Sequence, residues 1–493
     1  MDATMRSLKH LRRDDSGLAL FVVVAMSMIL FVLASTVILL AEYRTVQSTA
    51  KARQSRVLQV AEAGLNDYIY RMSNDYYYYD TGGGNARVLT GAVEGGTYVV
   101  TPEMPEPGQT WVKLNSVGTL EDGKVRRVSA VVGFPSFADY VMMADAGFTV
   151  GSQSVIWGPV RTNGSLTITG GGTSFISGTQ TLKKGAITGD ATAYGTISLS
   201  TGVMSEHVGG QVIAGNSKNT TVKKVPFASV TNDVASMRSG AGLKLASSRT
   251  IDSLTTGAWG YRMELSGTQV KVTRIIGMDA STTTTANWGK PIVDARTATQ
   301  QTYAIPANGV IFVEGDNVWV SGDYNAKVTI CATGLTSTDT KYGNIFLQNS
   351  IRATNPASTM TAGLLAQNCV LVPAWYSKSG TTPVMESTLT VQSAMLAQNG
   401  QIKDSLQTNC SGGYTGASTV PGTNSQTGAT WTPPVYTHNL EITGSMSSFL
   451  VPGFNADYVP VRVYKFDPRL KDSPPPSWPR IRDSLKVMDW HEY

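Results

Sequence analysis

Charge is scarce in this chain. Asp, Glu, Lys and Arg make up 15% of its 493 residues, against about 25% in ordinary soluble domains. The net charge of +5 is small for the length, and no concentrated basic face of the kind a nucleic acid needs is evident. Cysteine is scarcer still. Cys331, Cys369 and Cys410 are an odd, sparse set that excludes a disulfide framework and fits no zinc spacing. They read as small buried hydrophobes, with one bridge left open in an oxidising compartment. The four histidines, His10, His207, His438 and His491, stand in no metal spacing and beside no plausible nucleophile. There is no G-x-S-x-G elbow, H-E-x-x-H or calcium loop. The Gly82–Gly84 turn after the YYYY run lacks the Lys and Ser/Thr of a phosphate-binding loop. Asp316 and Asp323, beside Gly315 and Gly322, read as turn residues, and Arg161 as a capping or rung-edge residue. No catalytic residue, metal or cofactor is assigned, and no enzymatic activity is expected.

What the chain has is one long apolar run. Leu18 to Ala41 holds 24 residues with no charge, Pro or Gly. As a helix it spans roughly 36 Å, enough for the ~30 Å hydrocarbon core. Its Leu, Ile, Val and Phe side chains contribute roughly −5 to −9 kcal/mol of insertion free energy. A buried core helix is rarely apolar on every face. Ahead of it lies MDATMRSLKHLRRDDSG, where Arg6, Lys9, Arg12 and Arg13 favour a cytoplasmic N-terminus. No small-residue cleavage site follows the run, as it would in an ordinary secretory signal. The small Ser16-Gly17 pair precedes it instead. Beyond Ala41, Val46, Ala50, Val57, Ala61, Leu65, Tyr68 and Met72 keep a three-to-four spacing. The spacing predicts one continuous helix from Leu18 to about Met72.

The segments RRDDSGLALFVVVAMSMILFVL and LQVAEAGLNDYI resemble the N-terminal part of PilX-type pilus-assembly proteins, the minor-pilin class. The likeness covers roughly residues 10–72. It implies a prepilin-type leader over 1–17, cut by a prepilin peptidase between Gly17 and Leu18. It also implies a single-pass protein of the bacterial cytoplasmic membrane, exported body outward, able to join other pilin-like subunits in a type IV pilus-like filament. Major pilins carry Glu at the fifth mature position; here that residue is Val22. This argues for a minor, tip or initiating subunit, or a plain anchor. Glu62 reads as part of the solvated helix face.

The rest reads as β. A small antiparallel domain over 73–138 is expected to hold strands at Tyr98–Val100, Trp111–Val117 and Lys124–Val132, the last two joined across Asp122-Gly123. From about Asp139 short apolar runs are split by Gly, Asn and Ser, and Phe227–Met237 is the best helix candidate. IFLQN, LLAQN and MLAQN echo one another, with Gln348-Asn349, Gln367-Asn368 and Gln398-Asn399 in the same place at offsets of 19 and 31 residues. Such an echo points to a β-solenoid, a parallel β-helix-like stack, over 139–450, with Asn ladders at its corners. Residues 451–493 form a C-terminal Pro-rich tail. The fold class is therefore mainly β with one long N-terminal α-helix. The function read from the sequence is a structural, non-enzymatic pilus or envelope-assembly component. The alternative is a membrane-anchored β-helix adhesin for surface glycans.

Overall fold

The computed structural model describes residues 15–81, 85–93, 95–105, 111–215, 222–248, 260–278, 291–293, 300–339, 342–372, 378–379, 382–383, 386–404, 422–423, 430–431, 439–454, 459–481 and 485–493. The chain is mainly β with one long N-terminal apolar helix, and it divides into two compact units. The first comprises Met1–Met104, Lys113–Val131 and Asp489–Tyr493. The second comprises Pro105–Val112 and Val132–Met488.

The first unit is built on helix α1 (Asp15–Asn74). The Ser and Thr hydroxyls of its apolar run bond back one turn, as Ser27 does to the Val23 carbonyl at 2.7 Å, Ser35 to Phe31 at 2.8 Å and Thr36 to Val32 at 2.9 Å. Each hydroxyl is thus satisfied within the helix and offsets little of the apolar character. Only the last third of the helix is covered. Val57, Val60, Ala61, Leu65, Tyr68 and Met72 are at most 3% exposed, whereas Val46 is 67% exposed.

The partner of that face is an antiparallel sheet in the order β1 (Leu89–Val93), β2 (Gly96–Glu103), β3 (Trp111–Leu120), β4 (Val125–Gly133), β5 (Lys486–Glu492). The β3–β4 turn falls at Asp122-Gly123 as expected, with Gly123 at φ +78° and the Asp122 carboxylate accepting from the Lys124 amide. Val128, Ala130 and Val132 form the buried face of β4. Glycine sets how closely helix and sheet approach. A Cβ at Gly118 would stand 2.6 Å from the Ala61 nitrogen and 2.7 Å from the Val57 carbonyl oxygen. One at Gly64 would meet the Tyr98 ring at 2.6 Å. The AEAGL stretch is therefore a contact surface of small residues. Ser116 donates to the Ala61 carbonyl at 2.6 Å and Tyr98 to the Asp67 carboxylate at 2.8 Å. Burying Val57, Val60, Leu65 and Met72 contributes about 6–12 kcal/mol as an upper estimate. The Arg71–Asp67 ion pair, with Arg71 open to solvent, adds little, so packing dominates. Tyr78 and Tyr79 close the end of the helix: the Tyr78 ring meets Tyr68 edge-on at 5.3 Å and lies under the Arg87 guanidinium at 4.9 Å.

The second unit is a β-solenoid whose coils do not stack in chain order. One continuous column of parallel-paired residues runs Leu243, Ile311, Ile330, Leu364, Met395, Met446, Met142, Val160, Ala191, Val212. The chain enters in the middle, at Met142–Ala144, and winds to one end at Val212–Ala214. It resumes at the other end, at Leu243–Leu245, and winds back until Asn439–Ser448 docks on Met142–Ala144. Between the two ends runs helix α2 (Val230–Gly240), preceded by a 3-10 turn at Phe227–Ser229, matching the expected helix.

Side chains alternate between two cores. The interior holds the column just named, apart from the exposed Val212 at its end, with Val318, Val320, Ile345, Leu347 and Val370. Outward-pointing Phe312, Cys331, Leu365, Leu396 and Met143 are buried beneath α2, the Phe137–Tyr140 turn and Trp478. The segment 451–493 divides between the units. Arg462–Phe466 joins the solenoid, Pro474–Pro476 are buried with the Pro476 carbonyl accepting from Thr329 at 2.6 Å, and Lys486–Glu492 is β5.

Two predictions follow from this packing. Replacing Gly118 by Ala should destabilise the first unit by about 3 kcal/mol or more, since backbone on α1 cannot yield. Replacing Gly123, whose Cβ site is open but whose φ is positive, should cost about 1 kcal/mol. Pulse proteolysis of the detergent-solubilised chain compares the two; equal losses would refute the close approach. The second concerns Asp139, which burial pushes up to about 6 against opposing hydrogen bonds from Ser136. A carboxyl with a folded pKa above its unfolded value (about 3.9) stabilises the fold fully below the unfolded pKa and loses that contribution as pH rises through 6. Asp139→Asn should therefore raise stability at pH 7 by up to about 3 kcal/mol and flatten the pH dependence between 4 and 6. Denaturant melts across that range provide the check.

Candidate interaction site on the N-terminal helix

The first part of α1 is apolar on every side and touches nothing else in the described chain. Phe21 is 75% exposed, Phe31 74% and Val37 68%. The helix is long and apolar enough to cross a membrane, with none of its apolar window buried. Leaving so much apolar area in water is unfavourable by about 25 cal/mol per Å², so the surface requires lipid or protein around it. A single-pass anchor is the reading this supports. Gly17 and Leu18 lie in the first turn of α1. Residues 1–14, with Arg6, Lys9, His10, Arg12 and Arg13, lie outside the described residues. Val22 is 50% exposed on the apolar surface, and Glu62 is half-buried within the last third of the helix.

The polar residues singled out in the solenoid are built into its frame. Arg161 is 8% exposed; it donates to the Tyr140 hydroxyl at 3.1 Å and to the Lys223 carbonyl at 2.9 Å. Asp316 is fully buried and accepts from the Ser248 amide and the Ser247 hydroxyl, whereas Asp323 is exposed. The two aspartates are not brought together. Among the described residues no group of three or more His, Cys, Asp or Glu side chains stands where it could hold a metal. Cys331 is free and buried, and burial pushes its thiol far up. Cys369 is disulfide-bonded; Cys410 lies outside the described residues.

The Gln-Asn echo divides. LLAQN and MLAQN stack in register, Leu364 on Met395, with the Asn399 amide donating to the Gln367 carbonyl. Both glutamines are buried and span outward, Gln367 to the Thr336 carbonyl and Gln398 to the Thr231 hydroxyl on α2. IFLQN belongs to the other sheet, where Ile345 stacks on Val370, so Gln348-Asn349 does not continue the column. The asparagine ladder occurs elsewhere. Asn344 donates to the Asn317 side chain at 3.0 Å, the Cys369 amide donates to the Asn344 side chain at 3.1 Å, and the Gln401 amide approaches Cys369 Sγ at 3.3 Å. Its signal in the sequence is a residue just ahead of each apolar strand: NVWV, NIFL, CVLV and QIKD.

No protein-family model and no curated protein matches the chain. Two solved structures align loosely with it. One is the competence-associated pilin ComZ from Thermus thermophilus, 12% identical, with a TM-score of 0.33 over 89% of this chain and 97% of that one. The other is an ice-binding protein from the Antarctic ascomycete Antarctomyces psychrotrophicus, 9% identical, with a TM-score of 0.26 over 67% of this chain and 95% of that one. Both superpositions are loose.

Proposed function

We propose that this chain is a structural, non-enzymatic, PilX-like minor subunit of a type IV pilus or related envelope assembly. The observation that carries the reading is the division of α1. Its last third is the spine of a small antiparallel sheet, and its apolar first part is left wholly uncovered. Such a helix can sit in lipid and later pack among other pilin-like helices, which offsets the cost of extraction. A prepilin peptidase would act between Gly17 and Leu18, leaving the helix as the new N-terminus. The cationic leader would stay in the cytoplasm, and the small sheet and the second unit would be exported. The disulfide at Cys369 fits an oxidising compartment. Val22 in place of a carboxylate, and a second unit of over 300 residues, suit a minor position and not the repeating one. The reading of an anchored glycan adhesin has less support. The exposed large aromatics described in the solenoid are Tyr194 and Phe449. They lie on coils separated by those of Met142 and Val160, so they form no stacking row.

The reading makes two measurable claims. N-terminal sequencing of the exported protein should begin at Leu18, and Gly17→Trp should block processing. An intact Met1 terminus beside an active prepilin peptidase would refute the maturation. Sheared pili should contain the chain in trace amounts, and its deletion should reduce pilus number or surface attachment. A protein that stays wholly in the membrane, with pili unchanged in its absence, would favour the anchored adhesin.

A further inference from the structure

The small antiparallel sheet ends on β5, and the outer edge of that strand carries no further strand among the described residues. The Tyr493 amide donates to the Arg127 carbonyl at 3.0 Å. In an antiparallel ladder the odd-numbered residues of β5 therefore turn their backbone groups to β4. Those of Lys486, Met488, Trp490 and Glu492 turn to the open edge. The Trp490 amide agrees with this parity, because it donates to the Asp489 carboxylate at 2.9 Å and not to β4. An open edge is a template for another strand. This one also leaves large side chains in water, with Val487 51%, Trp490 41% and Tyr493 66% exposed.

The strand, KVMDWHE, complements itself when reversed. Laid antiparallel on a second copy with Asp489 at the centre, Lys486 falls opposite Glu492, Val487 opposite His491 and Met488 opposite Trp490. Each contact then occurs twice, as a two-fold interface requires. Even-numbered residues meet even-numbered ones, so the groups that face the open edge are the ones that bond. Moving the centre to Met488 or Trp490 loses both pairs of Lys486 with Glu492. One element opposes the pairing. The two Asp489 carboxylates stand directly across from each other, which is unfavourable. Each also holds its own Trp490 amide, which must be released, while His491 Nε2 lies 2.8 Å from it. Asp489 is thus a restraint on the edge.

We propose that β5 is a self-association edge, through which two copies of this chain join their small sheets by antiparallel β5 strands centred on Asp489. The pairs of Lys486 with Glu492 set the register, and Asp489 keeps the contact weak and reversible. The two-fold axis of such a pairing stands perpendicular to the sheet. Helix α1 lies along that sheet, so the axis turns it end for end and the two apolar runs point in opposite directions. Paired copies therefore cannot share one bilayer, and the contact joins copies held on facing surfaces. The inference rests on the anchor in α1 and not on entry into a filament.

Cysteine placement reads the register. The full chain carrying Asp489→Cys, in detergent under mild oxidation, should form a disulfide-linked dimer. Residues opposite each other at a non-hydrogen-bonded position stand about 4.5 Å apart at Cα, within disulfide reach. Val487→Cys or His491→Cys alone should not cross-link, because each lies roughly 14 Å along the strand from its own copy. An equal mixture of the two should. Glu492→Lys should lower the Asp489→Cys dimer about tenfold, as two attractions become repulsions, and adding Lys486→Glu should restore it. The unsubstituted chain serves as the blank, since Cys331 is buried and Cys369 already bonded. No dimer from Asp489→Cys, an equal dimer from Val487→Cys alone, or a yield indifferent to Glu492→Lys would overturn the pairing. The facing geometry is tested in phosphatidylcholine vesicles that carry the Asp489→Cys chain under one of two tags. Dimers of mixed tag should form once the two vesicle populations are combined. Dimers confined to chains that share a vesicle would overturn the facing arrangement.

Discussion

Everything in the solenoid depends on one seam, the parallel pairing of Met446, Ser447 and Ser448 with Met142, Met143 and Ala144. Some 300 residues separate the partners in the chain. On one side of the seam stand the coils of Val160, Ala191 and Val212; on the other stand those of Met395, Leu364, Ile330 and Ile311. Neither stack alone would bury the faces of its terminal coil. Closing the seam joins two short stacks into one continuous core, and it adds the hydrogen bond from the Ser447 hydroxyl to the Phe137 carbonyl at 2.7 Å. A pairing so distant in sequence carries a loop-closure cost that grows with the separation.

The low charge of the chain follows from how many faces this arrangement buries. A solenoid coil ordinarily points every second residue outward to water. Here the outward column Phe312, Cys331, Leu365, Leu396 lies under α2 and the C-terminal segment. A second outward column stacks Trp319 on Phe346 at 4.7 Å, with Leu371 beside it. It ends on Lys403, which is 1% exposed and held down to about 8 by burial. The buried prolines and Trp478 act as cladding over one sheet.

The helix was legible in the sequence because its signals are local: an unbroken apolar run, then a three-to-four spacing from Val57 to Met72. The three central strands of the small sheet were legible too, through alternation and the Asp122-Gly123 turn. Strand β5 was not. Its partner β4 lies more than 350 residues upstream, and its described side chains are all exposed, so no alternation of burial marks it. The solenoid showed itself in LLAQN and MLAQN because neighbouring coils there have equal form. The same echo misled at IFLQN, since coil length varies and an equal motif can fall on another sheet. The order of coils could not be read, because parallel pairs carry no signal of which neighbour follows. At the N-terminal helix the apolar surface was plain from composition, while the role of Gly64 and Gly118 required knowing what lies across from them.

The path by which the chain enters and leaves the solenoid has a mechanical consequence. The incoming segment at Pro135–Phe137 and the outgoing one at Pro479–Ile481 are bonded to each other, Phe137 N–H to the Pro479 carbonyl at 3.1 Å and Ile481 N–H to the Pro135 carbonyl at 2.7 Å. Each leads to a coil beside the seam, with further coils stacked beyond on both sides. A stack tethered at one end can be unzipped coil by coil, each hydrogen-bonded row failing in turn. A stack tethered at its waist, by two strands clamped together, offers a pulling force no free end to unzip. Tension would have to shear the clamp and the central rows at once. Such a body resists being drawn out by its attachment, whatever its outer coils hold.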